Sequence, residues 1–195
     1  MPRPPSYNQQ QVLESAMQVF WRKGYATTSV KDLTDVTKLQ PGSLYGAFKN
    51  KRNLFVHTLD YYYEKLYKDI EQVLKSEMPP LSRIRCFFDY LLNRVEEDRE
   101  TKSCLLLNTL VELPPEDGEI NQRVSAMFQQ IEKLFVETLY EAQEDGTLAY
   151  GLRPETIAKM LISGIFGLQV YNKMQNGKDD LKQIVNNLLS ILEKS

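Results

Sequence analysis

Apolar residues recur three and four positions apart along nearly the whole chain, the spacing that puts them on one face of a helix. No sustained stretch alternates apolar and polar residues with β-branched side chains, no tract is low in complexity, and no segment repeats. The pattern predicts an all-α protein of about nine helices, three short ones followed by a larger helical bundle. The first helix covers residues 10–23, with Val12, Leu13, Ala16, Val19 and Phe20 as its apolar stripe. Gly24 stands where a left-handed C-cap belongs. In "YATTSVKDLTDVT" a second helix begins, with Thr28 or Ser29 as N-cap and Val30, Leu33 and Val36 recurring on its inner side.

The next stretch, "KLQPGSLYGAF", is the least regular: Pro41, Gly42 and Gly46 interrupt an otherwise helical pattern. Proline at a first helical position costs little, because its missing N–H would be unpaired there anyway. The segment therefore predicts a short helix starting right after a tight turn, followed by a long helix over 51–75. "MPPL" marks a break, and 81–97 follows with Ile84, Phe87, Phe88, Leu91, Leu92 and Val95 inward. "CLLLNTLVEL" (104–113) is apolar almost all round and reads as a helix buried within the bundle, ended by "PPEDGE". Helices over 120–144 and 154–174 come next, the latter opened by Pro154. The last carries Leu181, Ile184, Val185, Leu188, Leu189 and Leu192.

Charge changes this picture. The net charge of −2 conceals an asymmetry: residues 1–52 hold eight Lys/Arg against three acidic residues, a net of +5, and the remainder holds 16 against 23, a net of −7. A basic module for a polyanion joined to an acidic body fits that split. Other chemistry is thinly supplied. His57 is the one histidine, which argues against a His-rich metal site or a Ser-His relay, and it reads as a plain helix residue. The N-terminus "MPRPPSYNQQQ" has no apolar core of a secretory signal, and the longest apolar run, "MLISGIFGLQVY", falls short of the roughly 20 residues a spanning helix needs. A cytoplasmic protein with no membrane partner, and with Cys86 and Cys104 as thiols, is expected.

"FWRKGYATTSVKDLTDVTKLQPGSLYGAFKNKRNLF" carries the decisive likeness. Phe20, Gly24-Tyr25, Thr28-Ser29-Val30, Leu33, Gly42-Ser43-Leu44-Tyr45, Phe48, Lys51 and Leu54 together resemble the N-terminal DNA-binding domain of the TetR family of transcriptional regulators. The likeness covers about residues 10–56 without gaps. It implies a helix-turn-helix in residues 1–52, with a ligand-binding and dimerisation domain in 53–195. In such a motif the first helix braces on the backbone and the second enters the major groove by its N-terminal residues.

The DNA-contact set that follows is Thr28, Ser29, Gln40, Pro41, Gly42, Ser43, Tyr45, Gly46, Lys49 and Lys51. Gln40 and Ser43 can hydrogen-bond base edges, Gln most naturally with adenine. Gly42 and Gly46 leave clearance for sugar-phosphate. Tyr45 offers its hydroxyl to a phosphate by family analogy, or else is a partly buried core tyrosine. Thr28 or Ser29, and Lys51, sit at helix N-termini suited to phosphates. Lys49, Lys51 and Arg52 are otherwise an ordinary solvated face, and Phe20, Leu33, Val36, Leu44 and Phe48 are the small domain's core. Two departures from the family pattern are Gln40, where a Ser or Thr cap is common, and Gly46-Ala47 in place of bulkier residues.

For the larger domain the resemblance implies an effector pocket and a homodimer built on the last two helices. Pocket candidates are Tyr63, Tyr67, Phe88, Leu92, Leu106, Leu110, Met127, Ile131 and Phe166, each of which could equally be plain core. Interface candidates are Ser163, Gly164, Gly167, Leu168, Tyr171, Ile184, Leu188 and Ile191; the small residues among them suit close helix crossing, between subunits or within one. "SCLLLNTL" resembles a subgroup whose matching segment begins with a cysteine, some members of which respond to electrophiles or oxidants, and Lys102 and a helix start at Ser103 could stabilise a thiolate at Cys104. A buried inert thiol is the other reading. The expectation is a dimeric, ligand-responsive repressor of a near-palindromic operator, with no metal or organic cofactor and no catalysis. A protein-interaction adaptor, or an all-helical enzyme keeping a vestigial helix-turn-helix, stands as the alternative.

Overall fold

The computed structural model describes residues 7–97, 104–114, 118–174 and 178–193. Among them are nine helices: α1 (Gln9–Lys23), α2 (Val30–Thr37), α3 (Pro41–Phe48), α4 (Lys51–Leu74), α5 (Pro80–Glu97), α6 (Leu105–Glu112), α7 (Gly118–Glu144), α8 (Pro154–Asn172) and α9 (Lys178–Ser190). No strand is present among the described residues beyond one isolated bridge between Leu148 and Glu193. The all-α expectation holds. The side chain of Val95, and residues 102, 103 and 115–117, lie outside what is described.

The chain forms two compact units, and they do not follow its order. The first comprises the chain through Lys65 together with Leu105–Val124. Its core is Ala16, Phe20, Leu33, Leu44, Phe48, Leu54 and Phe55, all buried. Phe20 meets Phe55 edge-on with centroids 4.8 Å apart, and the Tyr25 ring lies 4.7 Å from that of Phe55. Burying each such aromatic stabilises the unit by about 1.5–3 kcal/mol. α1 is also fastened to α4: Lys65 Nζ donates to Glu14 Oε2 at 2.5 Å and Tyr61 Oη to the same oxygen at 2.6 Å. Partial burial opposes ionisation of Glu14, but those two donors hold its carboxyl below the ordinary value.

The second unit comprises Leu66–Cys104 and the chain from Ser125 onward. Ile84, Phe88, Phe135, Leu139, Ala142, Ala158 and Leu161 are its buried centre. Phe87 meets Phe135 edge-on at 5.3 Å. α5 and α8 both pack against α9. Arg83 closes the C-terminal end of α4, donating from its guanidinium to the Leu74 and Met78 carbonyls and to Glu141.

Three local expectations need correction. Gly24 has φ 83° but ψ 168°, so it is not a left-handed helical cap; it takes another positive-φ conformation that L side chains rarely adopt, and a Cβ there would lie 2.7–3.0 Å from the Glu112 carboxylate. Val36 is not core. An eight-residue helix makes a narrow contact that accepts Leu33, while Val30 and Val36, about 60° to either side of it, stay 37 % and 39 % exposed. α6 is not buried all round: Leu105, Leu106, Leu107 and Thr109 are inside, but Val111 is 77 % exposed.

Candidate nucleic-acid interface

α2 and α3 are joined by a short turn in which Lys38 takes the left-handed conformation (φ 59°, ψ 17°) and its N–H reaches back to the Thr34 carbonyl at 3.0 Å. α2 opens with a complete capping box. The Asp32 N–H donates to Ser29 Oγ at 3.1 Å, and the Ser29 N–H donates to Asp32 Oδ2 at 2.9 Å. Lys23 Nζ donates to Asp32 Oδ1 at 2.6 Å. The Lys23 ammonium first, and the Ser29 donors after it, hold the Asp32 carboxyl well below the usual carboxylate range. Ser29 is thus the N-cap. Thr28 is buried, and its hydroxyl donates to the Gly24 carbonyl at 2.6 Å, so that hydroxyl is already committed inside the unit.

α3 begins differently. Gln40 has the extended backbone of an N-cap (φ −68°, ψ 150°), yet its side chain makes no capping bond, and Pro41 fills the first helical turn. Leu44 and Phe48 anchor the helix to the core. Gln40, Pro41, Gly42, Ser43, Gly46 and Ala47 are exposed, and Tyr45 is half-buried. A Cβ added to Gly42 or Gly46 would meet nothing within 4 Å, so nothing in the chain's own packing calls for glycine at either position. Lys49 ends the helix with φ 66°, a strained setting for a side-chain-bearing residue.

Lys51, the first residue of α4, is turned inward: its ammonium lies 4.6 Å above the Tyr25 ring and 3.4 Å from the Ala26 carbonyl. Arg52 pairs with Glu119 at 2.7 Å. The 24–26 loop is also held by Glu112, whose two oxygens accept from the Tyr25 N–H at 2.9 Å and the Ala26 N–H at 2.7 Å. Sequence reasoning missed Glu112. Its one signal was an acidic residue at the end of the apolar run "CLLLNTLVEL", and nothing local names its partner.

These features meet known proteins at both ends of the chain. Residues 12–58 match the family described as bacterial regulatory proteins, tetR family, and residues 80–188 match the tetracyclin repressor-like C-terminal domain. The chain belongs to the TetR family of transcriptional regulators. Among curated TetR-type proteins it is 27 % identical over 177 residues to the HTH-type transcriptional repressor DhaR of Mycobacterium sp. (strain GP1), covering 90 % of this chain and 87 % of that protein. It is 25 % identical to the HTH-type transcriptional repressor ComR of Escherichia coli (strain K12), over 97 % of this chain and 90 % of that one. Among solved structures, a cysteine mutant of the TetR family regulator CifR complexed with 26-base-pair double-strand operator DNA superposes with a TM-score of 0.86 at 27 % identity, covering 96 % of this chain and 98 % of that chain.

In this TetR-family chain the pocket candidates fall in both units. Tyr63, Leu106 and Leu110 belong to the first; Tyr67, Phe88, Leu92, Met127, Ile131 and Phe166 belong to the second. Phe88, Leu92, Leu106, Met127 and Ile131 are buried, whereas Tyr63, Tyr67, Leu110 and Phe166 are half-buried. The Phe166 ring packs edge-on to Phe128 at 4.8 Å.

The interface candidates also divide. Gly164 faces Leu188 within the subunit, where an added Cβ would come within 2.5 Å of a Leu188 methyl, and Leu168 is buried. Ser163, Gly167, Tyr171, Ile184 and Ile191 are exposed, and Val170 and Met174, which sequence reasoning passed over, are exposed beside them. Cys104 is half-buried; its N–H donates to Gln169 Oε1 at 2.7 Å. Among the described residues there is no cluster of His, Cys, Asp and Glu able to hold a metal ion, and no helix long and apolar enough to cross a membrane.

Proposed function

We propose that this TetR-family chain is a ligand-responsive repressor that binds a near-palindromic operator as a homodimer. The observation that carries this reading is the outer face of α3, where Gln40, Ser43 and the open surface at Gly42 and Gly46 are exposed while Leu44 and Phe48 hold the helix down. Two such helices would meet successive major grooves about 34–36 Å apart. Tyr45, Lys49, Lys51 and the α2 N-terminus at Thr28 and Ser29 contact phosphate in this reading, Thr28 through its backbone.

The functional division is residues 1–52 for DNA and 53–195 for effector and dimer contacts. The exposed apolar residues of α8, of α9 and just after it, Val170, Tyr171, Ile184 and Ile191 among them, support the subunit interface. An effector in the 53–195 part acts through its differential affinity for two states of the dimer. The reading places the protein in the cytoplasm and assigns it no catalysis.

Selection of bound duplexes from a random pool tests the reading. A near-palindromic consensus is expected, with affinity falling steeply with salt, about 0.9 in log–log slope per neutralised phosphate. No enriched duplex, or binding indifferent to salt, overturns it. Repeating the selection with cell extract tests the effector. Its electrophile form rests on Cys104, and intact mass after mild electrophile treatment decides it: an unmodified Cys104 removes that form.

A further inference from the structure

Among the described residues two besides glycine have positive φ, and both are lysines: Lys38 (φ 59°) and Lys49 (φ 66°). They stand at the two ends of α3, Lys38 in the turn before it and Lys49 directly after Phe48. Positive φ crowds the Cβ of an L residue, and glycine alone takes it without steric cost. A lysine at either place is held against its own backbone preference.

The two settings differ in kind. Lys38 closes α2: its N–H donates to the Thr34 carbonyl at 3.0 Å, and its ψ of 17° puts it in the left-handed helical region. Lys49 is the centre of a γ-turn. With ψ −54° it is spanned by a 2.8 Å bond from the Asn50 N–H to the Phe48 carbonyl, the rare and strained form of that turn. Asn50 then opens α4, its side chain accepting the Asn53 N–H at 2.8 Å. Each bend is needed to leave one helix and enter the next, but neither bend needs a lysine.

Packing does not ask for one either. Both lysines are exposed, and neither side chain makes a hydrogen bond or ion pair with another described residue. Lys23, Lys51, Arg52 and Lys65 of the same unit are each engaged within the chain. Lys38 and Lys49 thus bracket the helix whose open face carries Gln40 and Ser43, at two positions that suit glycine better. Backbone strain that the fold itself does not use marks a functional position.

We propose that Lys38 is a phosphate-binding residue of the operator interface, acting with Lys49 as a pair of point charges at the ends of α3. The proposal rests on the operator-binding reading above, which puts Lys49, but not Lys38, on phosphate. An ammonium on a flexible stem suits a phosphate as a point charge. Such contacts set affinity and register along the duplex and carry no sequence preference.

The test uses the full chain and the duplex that the wild type selects from the random pool, titrated across salt concentrations. Lys38→Gly removes the charge and relieves the backbone together. It is expected to unfold no lower than the wild type, yet to bind about eightfold more weakly near 0.1 M salt, with a log–log slope shallower by about 0.9. Lys38→Gln keeps the strain and loses the charge, and should show the same loss of slope; it also decides the matter if the glycine protein does not fold. Lys38→Arg keeps the charge and should restore the slope. Combining Lys38→Gly with Lys49→Gly should lower the slope by about 1.8, because the two contacts are separate. The preferred sequence should stay the same throughout. An unchanged slope in Lys38→Gly, a loss that Lys38→Gln does not share, or a shifted base preference overturns the proposal while leaving the operator reading intact. A wild type that selects no duplex overturns that reading and the proposal with it.

Discussion

The two helices of the helix-turn-helix begin in opposite ways. α2 starts with a closed side-chain cap: Ser29 and Asp32 cap each other and Lys23 adds an ion pair. α3 starts with Gln40 uncapped, Pro41 supplying no N–H, and glycine where a side chain would fit without collision. The difference teaches which helix is finished by the fold alone. α2 caps its own Asp32 N–H and fixes its start with side chains of the chain itself, as suits a brace. α3 leaves its donors and its surface to whatever lies beyond the chain, as suits a reading element.

The comparison breaks most severely if α3 loses its hold on the core. Phe48→Ala is expected to cost about 3–5 kcal/mol and Leu44→Ala about 2–5 kcal/mol, because both side chains are fully enclosed. Thermal or urea unfolding checks this, and a loss below about 1 kcal/mol for either would mean that α3 is not held by these anchors. Binding would disappear with the fold, so these variants say nothing about which surface reads DNA.

Tyr45→Phe sharpens the contrast. The ring is half-buried and its hydroxyl makes no hydrogen bond among the described residues. Removing that hydroxyl should leave stability within about 0.5 kcal/mol while weakening duplex binding about tenfold, the value of one charge-assisted bond to phosphate. A stability loss with unchanged binding would return Tyr45 to the core.

How much of this was legible in the sequence depends on the range of each interaction. Helices follow from apolar spacing, and Pro41 and Pro154 mark helix starts because proline's costs are local. The α2 cap was legible only as Thr28 or Ser29; the structure settles it on Ser29, boxed with Asp32 three positions on in "SVKD". Val36 misled because periodicity says which side a residue favours, not how wide the contact is. Glu112 was out of reach: its partners lie 86 and 87 positions away, and only the packed chain brings α6 to that loop. The same holds for the mixed composition of the first unit, which takes in Leu105–Val124.

On the brace side, Ser29→Ala should cost about 1 kcal/mol, the usual value of an N-cap. The cap also carries a pH signature. Asp32 is held below its ordinary value in the folded chain, so its contribution is present above the unfolded value near 3.8 and is lost as pH falls toward the folded one. Unfolding followed between pH 6 and pH 3 should therefore show a smaller acid-side decline in Asp32→Asn than in the wild type. Parallel declines would mean that the box holds no charge-dependent stability.

The smallest effect makes the two helices alike. Gln40→Ser places a good cap on a backbone already in cap geometry, where the hydroxyl can accept the Ser43 N–H. If α3 is uncapped only because the fold leaves it so, the variant should gain about 0.5–1 kcal/mol in thermal unfolding. If Gln40 reads a base edge, the same variant should lose preference at one position of the selected duplex and keep its affinity elsewhere. Gain of stability with loss of preference is the expected pair: a cap set aside so that the side chain can serve the DNA. Gain with unchanged preference would show that Gln40 sits beside the bases without reading them, and that Ser43 or the DNA's own shape carries specificity there.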